Sequence, residues 1–352
     1  MGYIIIILFI VVLILASLQN FLKQYRLFLY CLIGVCLILT AGLREVGIDP
    51  DSSNYEYTFL NYNTVSALEG VEYSYILLSQ IINFFSSDVH MLFLVYAFLG
   101  VTTKFIALRK LTDLYFIPIL VYISYYFILH ECMQIRTGVL SGLFLFIVKY
   151  IGDGERKKSL ICLLIGFLFH YSALLILPFF FISNKPSTLK ARTIWGALIP
   201  IAYALAFIGV TFVFSNIDIP YIGNKLSIYQ QAQEKGRIIN SINILSPRDL
   251  ASVAIYYYLL FFYKTICIRN KYFPIMMKIY GIGLIVYITL SFFPVLAQRT
   301  YMLYSTVTIV LYANIFYTIK QKWAGLSLVA LVTLFYLNYG LANLDFYIFW
   351  KV

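Results

Sequence analysis

GLREVGIDPDSSNYEY, residues 42–57, is the stretch that decides the fold. It interrupts a strongly apolar run with Arg44, Glu45, Asp49 and Asp51, and Pro50 followed by Ser-Ser-Asn stops any helix that reaches it. A polar, turn-forming loop of mixed charge between apolar segments reads as a working surface at one side of a membrane. Each of the other polar islands is placed by asking whether it reaches that same side.

Composition makes the membrane the medium. Of 352 residues, 62% are hydrophobic and 12% charged, with mean hydropathy +0.87, whereas a soluble domain carries about 25% charged residues. Backbone groups in lipid must be satisfied within helices or a closed barrel. The apolar runs are continuous rather than alternating, which selects helices. Residues 1–16 lack a basic start and read as a first span, not a cleaved signal. Cys31, Cys36, Cys132, Cys162 and Cys267 sit in or beside apolar runs without metal spacing and read as small hydrophobes. No metal motif and no nucleotide-binding glycine motif is present, so neither a metal nor a cofactor is expected. The net charge of +11 fits cytoplasmic loops rich in Lys and Arg better than a nucleic-acid partner.

A span takes about 20 apolar residues. Spans are predicted near 3–20, 27–43, 89–108, 114–130, 132–151, 193–214, 251–268, 274–293, 300–319 and 323–342. The fold class is an all-α integral membrane protein of about 10–12 transmembrane helices, in a single polytopic domain over 1–352. Basic clusters at Lys23/Arg26, Lys104/Arg109/Lys110, Lys149/Arg156–Lys158, Lys264/Arg269/Lys271 and Lys320/Lys322 are assigned to the cytoplasmic side. That places the loops 44–72 and 215–249 outside. Segment 73–86 then starts and ends outside, as a helix on or in the outer interface. Segment 159–183 is flanked by basic residues at both ends. It is either a single span or a re-entrant hairpin turning near His170, deep in an apolar run, and the flanking charge favours the hairpin.

Most of the 26 Lys and Arg residues fall inside by this count, but Arg44, Arg136, Arg237, Arg248 and Arg299 fall outside. Positive charge that defies the inside rule, carried by the planar bidentate side chain, points to an anion at the outer face. Arg136, beside His130, Glu131 and Gln134, is either that site or an interfacial anchor satisfied by Glu131. Arg299 follows the helix-ending Pro294 and otherwise reads as an outward-snorkelling base. His170 is a candidate proton acceptor or phosphate ligand, or a satisfied core residue. Arg44 either serves the anion or pairs with Glu45. Asp49, Asp51, Asn54 and Tyr55 suit sugar hydroxyls and suit ordinary turns equally. Arg237 and Arg248 belong to the long polar connection 215–249, whose length suggests function. Most of the 32 Tyr residues read as interfacial belt residues.

These islands resemble the EpsG-like and Wzy-type polysaccharide (O-antigen) polymerases. The first outer-loop motif is matched by Arg44, Gly47, Asp49, Asn54 and Tyr55. A Gln-x-Arg opening a small-residue helix is matched by Gln134 and Arg136, a His-x-Ser-Ala segment ending in Pro by His170, Ser172 and Pro178, and a late Arg motif by Arg299. Asp49-Pro50 and Thr137-Gly138 depart from the usual pattern, which bears on sugar specificity rather than class. The resemblance implies a multi-pass bacterial inner-membrane enzyme whose active face is periplasmic. It would move a growing glycan from undecaprenyl diphosphate to the next lipid-linked repeat unit, without nucleotide sugar or metal, in membrane lipid and beside a Wzz-type chain-length regulator. Arg136 and Arg299, assisted by Arg44, Arg237 and Arg248, would hold the diphosphate. His170, then Asp49 or Glu45, would be the base, and Asn54, Tyr55 and Gln134 would meet sugar. A flippase for the same lipid, an O-antigen ligase and a membrane O-acyltransferase are the alternatives. A flippase would want more polar residues through the middle of its spans.

Overall fold

The structure is a computed structural model that describes residues 1–64, 70–208 and 242–344. Every regular element among them is helical. In chain order these are α1 (Gly2–Leu18), α2 (Arg26–Gly42), α3 (Ser52–Leu60), α4 (Tyr73–Asn83), α5 (Val89–Leu111) and α6 (Ile117–Val121), which runs on as a π-helix, Tyr122–Met133. Then come α7 (Ile135–Gly152), α8 (Arg156–Phe169), a 3₁₀ helix Tyr171–Phe181, α9 (Leu189–Ile208), α10 (Pro247–Phe261), α11 (Tyr263–Arg269) and α12 (Phe273–Thr289). The last elements among the described residues are α13 (Pro294–Tyr304), α14 (Thr308–Ala313) and α15 (Lys322–Ala342).

The all-α class is what the structure has. Among the described residues three helices, α5, α7 and α15, are long and apolar enough to cross a membrane by themselves, or up to four if the bent pair α10 and α11 is one span. Other predicted spans are shorter apolar helices, such as α1, α2 and α12. The predicted span 300–319 is broken into α13, α14 and short 3₁₀ turns.

The chain divides into two compact units. The first comprises the described residues of Met1–Asn184, Lys264–Met276 and the chain from Thr306 on; the second, those of Lys185–Tyr263 and Met277–Ser305.

Within the first unit α2 runs antiparallel to α5 and α7 runs parallel to it. Tyr30 donates its hydroxyl to the Phe105 carbonyl at 2.8 Å, while Gly42, at the other end of α2, lies against Leu94. Gly142 of α7 lies against Thr103, and Ile135 and Val139 pack with Val89, Leu92 and Tyr96. One end of the unit therefore carries Arg26, Arg109 and Lys110, and the other carries the loop after Gly42 and the start of α7. Arg26 and Arg109 share the Tyr115 ring, at 5.6 and 3.5 Å from its centroid.

Segment 159–183 takes the hairpin form. It leaves beside Gly152 and returns beside it, where the Asn184 amide donates to the Gly152 carbonyl at 3.3 Å and the Lys271 carbonyl at 3.1 Å. The turn is local chemistry: His170 adopts an extended backbone and its ring caps the 3₁₀ helix, in which Pro178 lacks the N–H that a regular helix would use. His170 is therefore half-buried, level with the start of α7, not deep in the bundle.

Lys104 corrects the charge count. It is fully buried in α5 and donates to Glu131 Oε1 at 2.5 Å and the Gly138 carbonyl at 2.6 Å. Its grouping with Arg109 and Lys110 in sequence hid that its ammonium points into the bundle. Glu131, expected near the outer surface beside Arg136, is buried with it and also accepts from the Tyr122 hydroxyl at 2.7 Å. Close approach makes the room. A Cβ on Gly100 would lie 2.1 Å from Glu131 Oε2, and one on Gly138 would lie 2.7 Å from the His130 carbonyl. Gly100→Ala is expected to destabilise the protein by about 1–3 kcal/mol through overpacking, read as a lowered melting midpoint in detergent. An unchanged midpoint would show that Glu131 can move aside.

The tyrosines also differ from the belt expectation. Tyr75, Tyr96, Tyr122, Tyr256, Tyr280 and Tyr287 are among the largest fully buried side chains. Their hydroxyls find internal partners, such as Tyr75 to the Tyr55 carbonyl at 2.6 Å and Tyr280 to the Ser252 carbonyl at 3.0 Å, which is what lets a phenol be buried.

Candidate functional site

The loop after Gly42 is built around Asp49. Its Oδ1 accepts the backbone N–H groups of Asp51 and Ser52 at 3.0 and 2.9 Å, opening α3. Its Oδ2 accepts Arg44 Nε at 3.1 Å, both side chains fully buried. Ser52 in turn accepts the N–H of Gly47, whose φ of +89° is the left-handed conformation that favours glycine. Asp49 thus has both carboxylate oxygens committed to the loop, and Arg44 pairs with Asp49 rather than with Glu45, which is exposed. The Arg44 guanidinium lies 3.9 Å from the Phe93 ring centroid. Its Nη2 is buried without a hydrogen-bond partner among the described residues.

Beside this loop the start of α7 meets the start of α4 and the end of α8. Gln134, half-buried, breaks the helix between Met133 and Ile135. The break turns Arg136, in the first turn of α7, toward Glu72, which precedes α4. Arg136 Nη1 donates to Glu72 Oε2, and the other oxygen, Oε1, lies 3.7 Å from His170 Nε2. Glu72 sits where a helix-capping side chain would, yet caps nothing. Its carboxylate serves Arg136 and His170 instead, and its side chain is 5% exposed, against 23% for Arg136 and 18% for His170.

Aromatic rings wall this group. Arg136 lies 5.7 Å from the centroids of both Tyr55 and Tyr75, within cation–π reach. Tyr55, Tyr75, Tyr96 and Phe169 follow one another at centroid spacings of 5.9, 6.1 and 6.1 Å. Burial pushes the Tyr55 hydroxyl up to about 12, while the positive charge of Arg136 and, less, of Arg44 draws it down. The Tyr55 phenol therefore lies in the field of both arginines.

Among the sequence candidates, Arg136, His170 and Tyr55 come together here, with Arg44 and Asp49 alongside. Asn54 and Glu45 are exposed. Arg248 lies in the second unit, where its Nε donates to Asp249 Oδ1 at 3.2 Å and Asp249 accepts the Tyr287 hydroxyl at 3.0 Å. Arg299 is exposed on α13, in the same unit. Arg237 lies outside the described residues. Among the described residues no three His, Cys, Asp or Glu side chains gather as a metal site.

Sequence reading missed Glu72 and Lys104. Glu72 had a signal: an acid immediately before an apolar helix is a capping candidate, and here the cap is absent. Lys104 had a stronger one, a charge inside an apolar span, which by default needs a partner.

The fold and site define a class: a helical membrane protein with an arginine–glutamate–histidine group at one end of its bundle. The EpsG family profile matches residues 27–349, and the chain belongs to the EpsG family. It is 25% identical over 331 residues to the amylovoran biosynthesis protein AmsC of Erwinia amylovora, a match spanning 88% of this chain and 85% of that protein. No solved structure matches the chain.

Proposed function

We propose that this chain is a polysaccharide polymerase, transferring a growing glycan from undecaprenyl diphosphate to the next lipid-linked repeat unit. The observation that carries this reading is the partly exposed Arg136 guanidinium, held by Glu72 among neighbouring aromatic rings at one end of the bundle, in a member of the EpsG family. A lipid diphosphate leaving group needs fixed positive charge where its own develops, and a low-dielectric setting strengthens that charge. Aromatic faces beside it suit sugar rings. Similarity to an amylovoran biosynthesis protein supports the same assignment.

The Arg26–Arg109–Lys110 end of the first unit is taken as cytoplasmic by the positive-inside rule. That puts the Arg136 end at the periplasmic face of a bacterial inner membrane. A Wzz-type regulator and membrane lipid are the partners this assignment brings.

The test is elongation by the purified full-length chain in nanodiscs. The substrate is lipid-linked repeat units extracted from a producing strain that lacks the chain, without nucleotide sugar. A ladder of longer glycans on a gel supports the polymerase. One observation favours a second reading: the Lys104–Glu131 pair, with Tyr122 and His130 beside it, is a polar centre inside the bundle, which a flippase would also want. No ladder, with the same lipid crossing liposomes that hold the protein, would assign the chain to the flippase class.

A further inference from the structure

We propose that Glu72 is the base that takes the proton from the attacking sugar hydroxyl, and that His170 is the positioning residue that holds its carboxylate. This rests on the polymerase reading and goes past it by assigning the proton.

The tautomer of His170 carries the assignment. Its Nδ1 lies 3.1 Å from the backbone nitrogen of Ser172, an N–H that can only donate. Nδ1 therefore supplies the lone pair, and the neutral ring bears its proton on Nε2. The Ser172 hydroxyl, 2.8 Å away, is a second neighbour of Nδ1. Nε2 faces Glu72 Oε1. The imidazole thus turns its lone pair into its own turn and an N–H toward a carboxylate, which leaves it an orienter rather than an acceptor for an incoming hydroxyl. An ionised carboxylate is acceptor-only, with about four lone-pair sites. Arg136 and His170 engage one side of each Glu72 oxygen and leave others.

Among the described residues, the other charged or titratable groups facing Glu72 come from each neighbouring element: Arg136 from α7, His170 from the end of α8 and Tyr96 from α5, with Tyr55 of α3 beside Arg136. None of these is a second carboxylate.

In the transfer, the acceptor O–H bond breaks and its proton goes to Glu72 Oε1. The freed oxygen bonds to the anomeric carbon of the donor glycan. The bond from that carbon to the diphosphate oxygen breaks, and its electron pair leaves with the diphosphate, whose charge Arg136 meets. Glu72 then returns the proton to water as product departs.

The test uses the nanodisc-held full chain, the extracted lipid-linked units for elongation, and undecaprenyl diphosphate alone as the binding probe. Glu72→Gln is expected to lower elongation by about 10²-fold or more, the usual worth of a general base. It should bind undecaprenyl diphosphate within about threefold of wild type, the mark of a group that acts in the transition state. Glu72→Asp, which keeps a carboxylate, should recover part of the rate and show the acid limb of the pH–rate profile that Glu72→Gln lacks. His170→Ala should lower the elongation rate while binding undecaprenyl diphosphate within about threefold of wild type, the split expected of a residue that orients the base rather than holding the ligand. Elongation by Glu72→Gln at the wild-type rate overturns the base role. So does a Glu72→Gln protein that loses the probe as fully as Arg136→Ala, or a Glu72→Asp protein as inactive as Glu72→Gln. A wild-type chain that makes no ladder overturns the polymerase reading and the base role together.

Discussion

Arg136→Ala is expected to reduce elongation about 10³-fold, the scale seen when one preorganised charge on a transferring group is removed. Two effects add. The leaving diphosphate loses its fixed cation, and the nearly enclosed Glu72 loses the guanidinium that neutralises it. Arg136→Lys should fall between, since an ammonium keeps the charge but not the fork that can hold Glu72 and a phosphate oxygen at once. The variants separate stability from chemistry. Arg136→Ala combined with Glu72→Gln removes the unpaired acid, so its melting midpoint in detergent should recover toward wild type while elongation stays lost. A ladder from Arg136→Ala as long as that of wild type would remove this arginine from the reaction.

Lys104→Met is expected to destabilise the protein by about 3–5 kcal/mol, because it leaves an unpaired carboxylate fully buried in the bundle. Both side chains of the Lys104–Glu131 pair are fully buried. Glu131 Oε2 and His130 Nε2 are already without hydrogen-bond partners among the described residues. With Lys104 gone, Glu131 keeps only the Tyr122 hydroxyl. Lys104→Met with Glu131→Gln should recover most of the loss, since a neutral pair of similar size has no charge to solvate. Melting midpoints of the wild type, both single variants and the double variant form the cycle that isolates the coupling. Additive single effects would show that the ion pair contributes little beyond its packing.

Chain composition alone determined the medium, the helical class and nearly every apolar boundary. Long apolar runs can satisfy their backbones in lipid only by internal hydrogen bonds, so helices appear where the runs do. Gln134 marks a break two residues past the predicted start of the span 132–151, and His170 lies at the predicted turn of the hairpin. Local rules also drew attention to Arg136, Tyr55 and His170, because polar residues beside apolar helices are costly unless used.

Pairing was left to the tertiary structure. The sequence offered Glu45 as a partner for Arg44, which is held by Asp49, and Glu131 as one for Arg136, which is held by Glu72, 64 positions away. Lys104 looked like one more cytoplasmic charge and instead crosses the helix interface to Glu131, 27 positions on. Sequence neighbours on a helix do not face one another, and a buried charge takes whichever opposite charge the packing brings within a hydrogen bond. That choice depends on how close the helices come, and here Gly100 and Gly138 set the distance. The sequence by itself therefore determined which residues could be chemical. Packing of α4, α5, α7 and α8 decided which of them meet, and turned Glu72 from a helix cap into the partner of Arg136 and His170.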